Sequence, residues 1–158
     1  MKRSLNRRKY TIIIVSLIII FIDQISKYIV LDFMQKSDPI VLIPGFLQLN
    51  LIRNYGAAFS LFNNQSTFLA FVSLIVSLLI ISYVIIKPTI KRFQGIGLAF
   101  LLGGTLGNGL DRWILGYVND FLELLFIQFP VFNFADISIN IGVICIILSN
   151  HSKPKFHP

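Results

Sequence analysis

The sequence predicts an all-α integral membrane protein: a bundle of four transmembrane helices with a small extracytoplasmic β-ribbon, or cradle, between helices 1 and 2. Three observations lead there. Hydrophobic residues make up 55% of the 158 and charged residues only 13%, roughly half the charged share of an average soluble domain. Four apolar stretches approach the ~20 residues a helix needs to cross a bilayer. The basic residues fall between those stretches instead of clustering on one soluble face, which argues against nucleic acid as the reason for the +7 net charge. The length leaves room for one domain.

The first stretch, 10–31, runs from Tyr10 to Leu31. It is too long for the core of a cleavable signal and continues past an Asp and a Lys without a small-residue cleavage site, so it is expected to be retained. The second, 67–86, is closed by Lys87-Pro88, where proline ends the helix and lysine can snorkel to the interface. The third, 93–110, carries Gly95, Ala99, Gly103 and Gly107 at intervals of four, a small-residue face that admits a close neighbouring helix. The fourth runs over 132–149.

Charge orients the four. Lys2, Arg3, Arg7, Arg8 and Lys9 precede the first span, Lys87, Lys91 and Arg92 join the second to the third, and Lys153 and Lys155 follow the fourth. The opposite side has only Lys36, Arg53 and Arg112. By the positive-inside rule both termini are cytoplasmic. The long outer connection reads as strand, turn, strand: Ile40 to Ile43, Pro44-Gly45, then Phe46 to Arg53. Leu47, Leu49 and Leu51 alternate with Gln48 and Asn50, the pattern of a half-buried two-stranded ribbon. In the second outer connection, Phe121 to Phe129 is apolar enough to lie in the interface.

Ionisable groups inside the membrane cost roughly 2.5–3.5 kcal/mol each and need a reason. Asp23 and Lys27 stand at i and i+4 on one helix face, where they can neutralise each other. Asn108, Asp111 and Arg112 close the third span, with Asp111 and Arg112 again of opposite charge. Asn133, Asp136 and Asn140 make a polar stripe down the fourth, and Asp120 precedes it in the outer loop. Four segments therefore bring polar groups to one depth, near the outer surface. Asp120 and Asp136 have no spare cation nearby in sequence. Two unpaired carboxylates at the mouth of a bundle fit an aspartic peptidase, in which they share one proton; they also fit ion transport.

Other catalytic constellations fail. His151 and His157 both lie in the cytoplasmic tail, so neither a Ser-His-Asp triad nor an HExxH zinc site is available, and no metal or cofactor is expected. Cys145 is the single cysteine, about 13 Å below Asp136 along the helix and without a base. A Ser–Lys pair on Lys27 would need Ser60 or Ser138 by tertiary contact, since Ser26 points elsewhere.

Five segments together resemble the lipoprotein signal peptidases, the signal peptidase II family, over nearly the whole chain. They are Asp23-x-x-x-Lys27; Arg53-Asn54-Tyr55-Gly56-Ala57-Ala58-Phe59; Gly103-Gly104 with Gly107-Asn108-Gly109-Leu110-Asp111-Arg112; Val118-Asn119-Asp120-Phe121; and Phe132-Asn133-Phe134-Ala135-Asp136. The resemblance implies a bacterial plasma-membrane enzyme whose site opens at the extracytoplasmic face. It would remove the signal peptide from prolipoproteins, cutting before a diacylglyceryl-modified cysteine. It puts the catalytic aspartates on Asp120 and Asp136. Substrate-binding or supporting roles fall on Asp23, Lys27, Asn54, Gly56, Asn108, Asp111, Arg112 and Asn133. The partners implied are the lipidated substrate and membrane lipid, with the chain acting as a monomer. Phe46, Leu47, Leu49, Phe59 and Phe62 offer apolar surface for acyl chains, or simply rest the ribbon on the membrane. A transporter would want acids spread across the bilayer, whereas the inner halves of all four spans hold none; a passive scaffold would leave Asp120 and Asp136 without a purpose.

Overall fold

The computed structural model describes residues 2–34, 38–57 and 61–151. Lys36, Ala58, Phe59, Ser60, Lys153, Lys155 and His157 lie outside the described residues, as do the side chains of Lys2, Arg3 and His151. The elements run α1 (Lys2–Met34), β1 (Ile40–Ile43), β2 (Leu47–Asn54), α2 (Ser66–Ile86), α3 (Arg92–Ile114), β3 (Val118–Leu124) and α4 (Phe134–His151).

The four helices are arranged around α3, which packs against each of the other three and most extensively against α4. Small residues let it sit there. A Cβ on Gly103 would lie 2.7 Å from the Ile19 side chain and 3.0 Å from the Ser16 carbonyl of α1. On the opposite face a Cβ on Gly97 would lie 2.8 Å from the Gly142 carbonyl of α4. The stripe Gly95–Ala99–Gly103–Gly107 therefore receives α1, while Gly97 and Gly104 form a second stripe for α4. Ser16 locks the first contact by donating its hydroxyl to the Ala99 carbonyl at 3.0 Å.

The distribution of polarity is the reverse of a soluble protein's. Asp23, Lys27, Asn108, Asp111, Asn119, Asp120 and Asn133 are all buried, whereas Leu17, Phe21, Tyr28, Phe33, Ile75 and Leu79 stand exposed. So wide an apolar exterior is incompatible with water and fits lipid. By length and composition two helices can cross a bilayer: α1 over Arg7–Met34 and α2 over Ser66–Ile86; α4 contributes a shorter apolar run, Phe134–Ser149. The central α3 is less apolar because its neighbours, not lipid, cover most of its surface.

The expected two-stranded ribbon is in fact a three-stranded antiparallel sheet ordered β1-β2-β3. Its first hairpin turns at Gly45, whose φ of +69° favours glycine. The third strand comes from the second outer connection, which the sequence reading left as an interfacial loop. Phe121 does not lie in the interface: at 2% exposure it packs with Val30 and Met34 of α1 and with Leu49, Leu51 and Leu122. This cluster pins the sheet to the end of α1. The β2–β3 register opposes Ile52 to Asp120 and Asn54 to Val118, with an irregularity between Leu49 and Ile52. Asp120 thus stands just beyond a bulge, a device that re-aims side chains.

Candidate active site

Asp120 and Asp136 reach the same place from different elements. Asp120 projects from β3, and Asp136 occupies the first turn of α4. One residue, Asn133, joins them. Its side-chain amide donates to Asp120 Oδ1 at 2.6 Å and to Asn108 Oδ1 at 3.0 Å. Its own Oδ1 accepts the Asp136 N–H at 3.0 Å, while Asp136 Oδ2 accepts the Asn133 N–H at 3.1 Å. That reciprocal pair is a capping box with Asn133 at the N-cap, so Asp136 is held rigidly by the helix start itself.

The remaining carboxylate oxygens are met by amides. Asp120 Oδ2 accepts from Asn54 Nδ2 at 2.8 Å, and Asp136 Oδ1 accepts from Asn108 Nδ2 at 2.8 Å. No lysine or arginine within salt-bridge distance of either acid is present among the described residues. Burial raises the Asp120 carboxyl first and the charge of Asp136 raises it further, to about 7 against an ordinary 3.8. The Asn54 and Asn133 hydrogen bonds and the more distant Lys27 pull the other way. Near neutral pH Asp120 is therefore divided between its two protonation states.

Behind this pair lies an ion cluster. Lys27 Nζ contacts Asp23 Oδ2 at 2.7 Å, Asp111 Oδ2 at 3.0 Å and Asn108 Oδ1 at 3.0 Å. All three ammonium donors are used. The expected Asp23–Lys27 pair is present, but Asp111 pairs with Lys27 across helices and not with its neighbour Arg112. Adjacent helical residues diverge by too much to face each other. Asp23 does more than neutralise: its Oδ1 accepts the Ala135 N–H at 2.9 Å, capping α4 from α1. A Ser–Lys pair is ruled out for Ser138, whose hydroxyl donates to the Phe134 carbonyl instead.

Arg112 reaches the loop after β2, donating from Nη2 to the Gly56 carbonyl at 2.9 Å and from Nη1 to the Asn108 carbonyl at 3.5 Å. Gly56 in turn donates its N–H to Asn54 Oδ1 at 2.9 Å, which orients the amide that holds Asp120. A Cβ on Gly56 would press on the Leu61 carbonyl at 3.0 Å. Sequence reasoning missed Gln24, whose Nε2 bridges Asp111 Oδ1 at 2.8 Å, the Gly107 carbonyl at 3.1 Å and Asp23 Oδ2 at 3.2 Å. Its position beside Asp23 was the available signal. Asn140 extends the stripe only as an exposed side chain donating to the Asp136 carbonyl at 3.0 Å.

Two grooves meet at Asp120. One of about 480 Å³ runs down α4 past Asp136, Ile137, Asn140, Ile141 and Ile144. The other, of about 360 Å³, lies under the loop of Tyr55, Gly56 and Ala57 beside Asn63. Both are bordered by Asn54, Asp120, Pro130 and Val131. The first is walled largely by apolar side chains, whereas the second mixes Arg53, Asn54, Asn63 and Asp120 with Ile52, Tyr55, Pro130 and Val131.

A helical bundle with an apolar exterior and a polar cluster buried at one end is the form of a membrane protein, and comparison with known proteins specifies which class it belongs to. The family described as Signal peptidase (SPase) II matches residues 15–151. The lipoprotein signal peptidase of Nostoc sp. is 41% identical over 141 residues, covering 89% of each chain. That of Thermosynechococcus vestitus is 53% identical over 108 residues, 68% of each chain. A bacterial membrane enzyme solved in meso superposes with a TM-score of 0.84 at 31% identity, covering 94% of both chains. The chain belongs to the signal peptidase II family and is a peptidase.

Proposed function

We propose that this chain is an aspartic endopeptidase of the bacterial plasma membrane that removes the signal peptide from prolipoproteins, cutting before a cysteine that carries diacylglycerol. Asp120 and Asp136 are the catalytic pair. The observation that carries the reading is Asn133 joining two carboxylates where two grooves converge, its side-chain amide on buried Asp120 and its backbone N–H on half-buried Asp136, neither acid ion-paired among the described residues. All four helices span the bilayer as one domain with both termini cytoplasmic, which sets the pair near the outer surface. The chain acts as a monomer in this reading.

The chemistry follows from one shared proton. With Asp120 raised to about 7, it holds the proton and donates a hydrogen bond to the scissile carbonyl oxygen. Ionised Asp136 takes a proton from water, which attacks the carbonyl carbon; collapse of the resulting diol returns a proton to the leaving amine. The apolar groove along α4 suits an unwinding signal helix, and the mixed groove under the Gly56 loop suits the mature side of the cut. Arg112 and Asn54 hold that loop. Asp23, Lys27, Asn108, Asp111 and Asn133 keep the carboxylates in place.

Purified enzyme incubated with a lipid-modified prolipoprotein tests this by mass spectrometry of the products. Wild type yields the shortened lipoprotein, while Asp120→Asn and Asp136→Asn insert normally and do not cleave. Retention of more than about a tenth of wild-type turnover in either variant, a barrier change of only ~1.4 kcal/mol, would sink the two-carboxylate mechanism.

A further inference from the structure

At the end of the bundle opposite the carboxylates, α1 and α3 part to leave a groove of about 460 Å³. On α1 it is lined by Arg8, Thr11, Ile12 and Val15, and on α3 by Arg92, Gly95, Ile96 and Ala99. Both sets follow the i, i+3, i+4, i+7 spacing of one helix face. Each begins with an arginine, Arg92 at the start of α3 and Arg8 in the second turn of α1, and continues into mostly apolar or small residues. The groove is thus cationic at its mouth and apolar along its length, with Gly95 providing the space.

Neither arginine has an acidic side chain as counter-ion among the described residues. The sequence contains no Asp or Glu before Asp23, between Asp38 and Asp111, or after Asp136. Along α3 the nearest acid is 19 residues from Arg92, about 28 Å at 1.5 Å per residue. Among the described residues Arg8 makes one side-chain hydrogen bond, Nη1 to the Ile90 carbonyl at 2.8 Å, which engages one of its five N–H donors. Arg92 makes no hydrogen bond or ion pair among the described residues. Lys91 at the same mouth leans away to the Ser149 carbonyl at 3.4 Å.

We propose that this groove binds one anionic phospholipid of the cytoplasmic leaflet, its phosphate between the Arg8 and Arg92 guanidiniums and an acyl chain against Gly95, Ile96 and Ala99. Guanidinium forks match phosphate oxygens, and the apolar floor accepts a chain but not a soluble anion's hydration shell. The inference rests on the proposed orientation in the membrane and is independent of the carboxylate chemistry.

The test is native mass spectrometry of the full chain in detergent, offered dioleoylphosphatidylglycerol and dioleoylphosphatidylcholine in equal amounts. One phosphatidylglycerol is expected to be retained preferentially. Arg8→Gln with Arg92→Gln lowers that retention by roughly fivefold per charge, about twenty-fivefold together, and lowers phosphatidylcholine, whose choline offsets its phosphate charge, by less. Gly95→Leu fills the groove and removes both. Prolipoprotein cleavage by the same samples reports folding; if the double variant does not cleave, Gly95→Leu decides alone. Equal retention of the two lipids overturns the proposal. So does displacement of phosphatidylglycerol by inorganic phosphate, which marks a soluble-anion site, or a doubled mass that is lost on Gly95→Leu, which marks a contact between two copies. Absence of cleavage by wild type would count against the peptidase reading and not against the lipid site.

Discussion

Asp120→Asn removes a charge while keeping the side chain's shape, and the structure sets the size of its effect on stability. The Asp120 carboxyl is raised from 3.8 to about 7, first by burial and then by Asp136. At 1.36 kcal/mol per unit this corresponds to about 4 kcal/mol of destabilisation once Asp120 is fully ionised. The folded protein binds this proton more tightly than the unfolded chain does. The stabilising contribution is therefore complete below pH ~3.8, falls as pH rises, and is lost above about pH 7. An asparagine has no proton to lose and shows no such fall. Hydrogen bonding does not blur the comparison. An amide offers one acceptor oxygen to the two amide donors of Asn54 and Asn133, but a protonated carboxyl has the same shortfall.

The variant should accordingly match wild type at pH 4 and exceed it by up to about 4 kcal/mol at pH 8. Thermal unfolding in detergent, followed by the fluorescence of Trp113 from pH 4 to 8, measures this. A chain of this size shifts about 2–4 °C per kcal/mol, so the two melting curves should separate by roughly 8–16 °C at the alkaline end. Asp136→Asn removes the like charge and should move the wild-type transition to lower pH. Parallel curves for Asp120→Asn and wild type would refute the reasoning, because Asp120 would then titrate at its ordinary value and could not hold the catalytic proton.

Arg112→Lys keeps the charge but loses the fork that holds the Gly56 and Asn108 carbonyls together; turnover should fall at least tenfold with melting temperature little changed, and wild-type turnover would reassign the residue to charge alone. Gly107→Ala puts a Cβ 2.6 Å from Asp23 Oδ2, so it should lower both stability and cleavage, whereas ordinary values for both would mean α1 can yield there. Cleavage should be indifferent to EDTA and to serine or thiol reagents; loss with EDTA that a divalent ion restores would overturn the aspartic assignment.

The parts of the site legible in the sequence were those set by spacing within one helix. Asp23 and Lys27 stand four apart and do meet; Asn133 and Asp136 stand three apart and do share a helix start. The expectation that the polar groups gather at one end of the bundle followed from helix rise alone. What spacing cannot give is the rotation of one helix against another. For that reason spacing names no partner for Asp111 and does not reveal the convergence of Gln24 on three acceptors. The third strand was hidden for a different cause. Phe121, Leu122 and Leu124 read as membrane-seeking, and the apolar cluster under a sheet lying on a bilayer has the same composition as a loop dipping into it.

The cation at the centre of the site is placed one amide away from the pair it influences, and that distance has a physical sense. An ammonium directly on Asp120 or Asp136 would hold that carboxylate ionised and forbid the proton sharing that two close acids need. With no cation at all, four acids in one buried region would repel one another without relief. Lys27 resolves this by taking Asp23 and Asp111 as its own partners and passing only an oriented dipole onward. It donates to Asn108 Oδ1, and the other end of that amide donates to Asp136. Asn133 also gives a hydrogen to Asn108 Oδ1 and its second to Asp120. Both amides are thereby fixed against a flip, since reversing either would set donors against donors. Both carboxylates are held by directed hydrogen bonds, and Asp120, with no cation on it, remains free to gain or lose its proton near neutral pH.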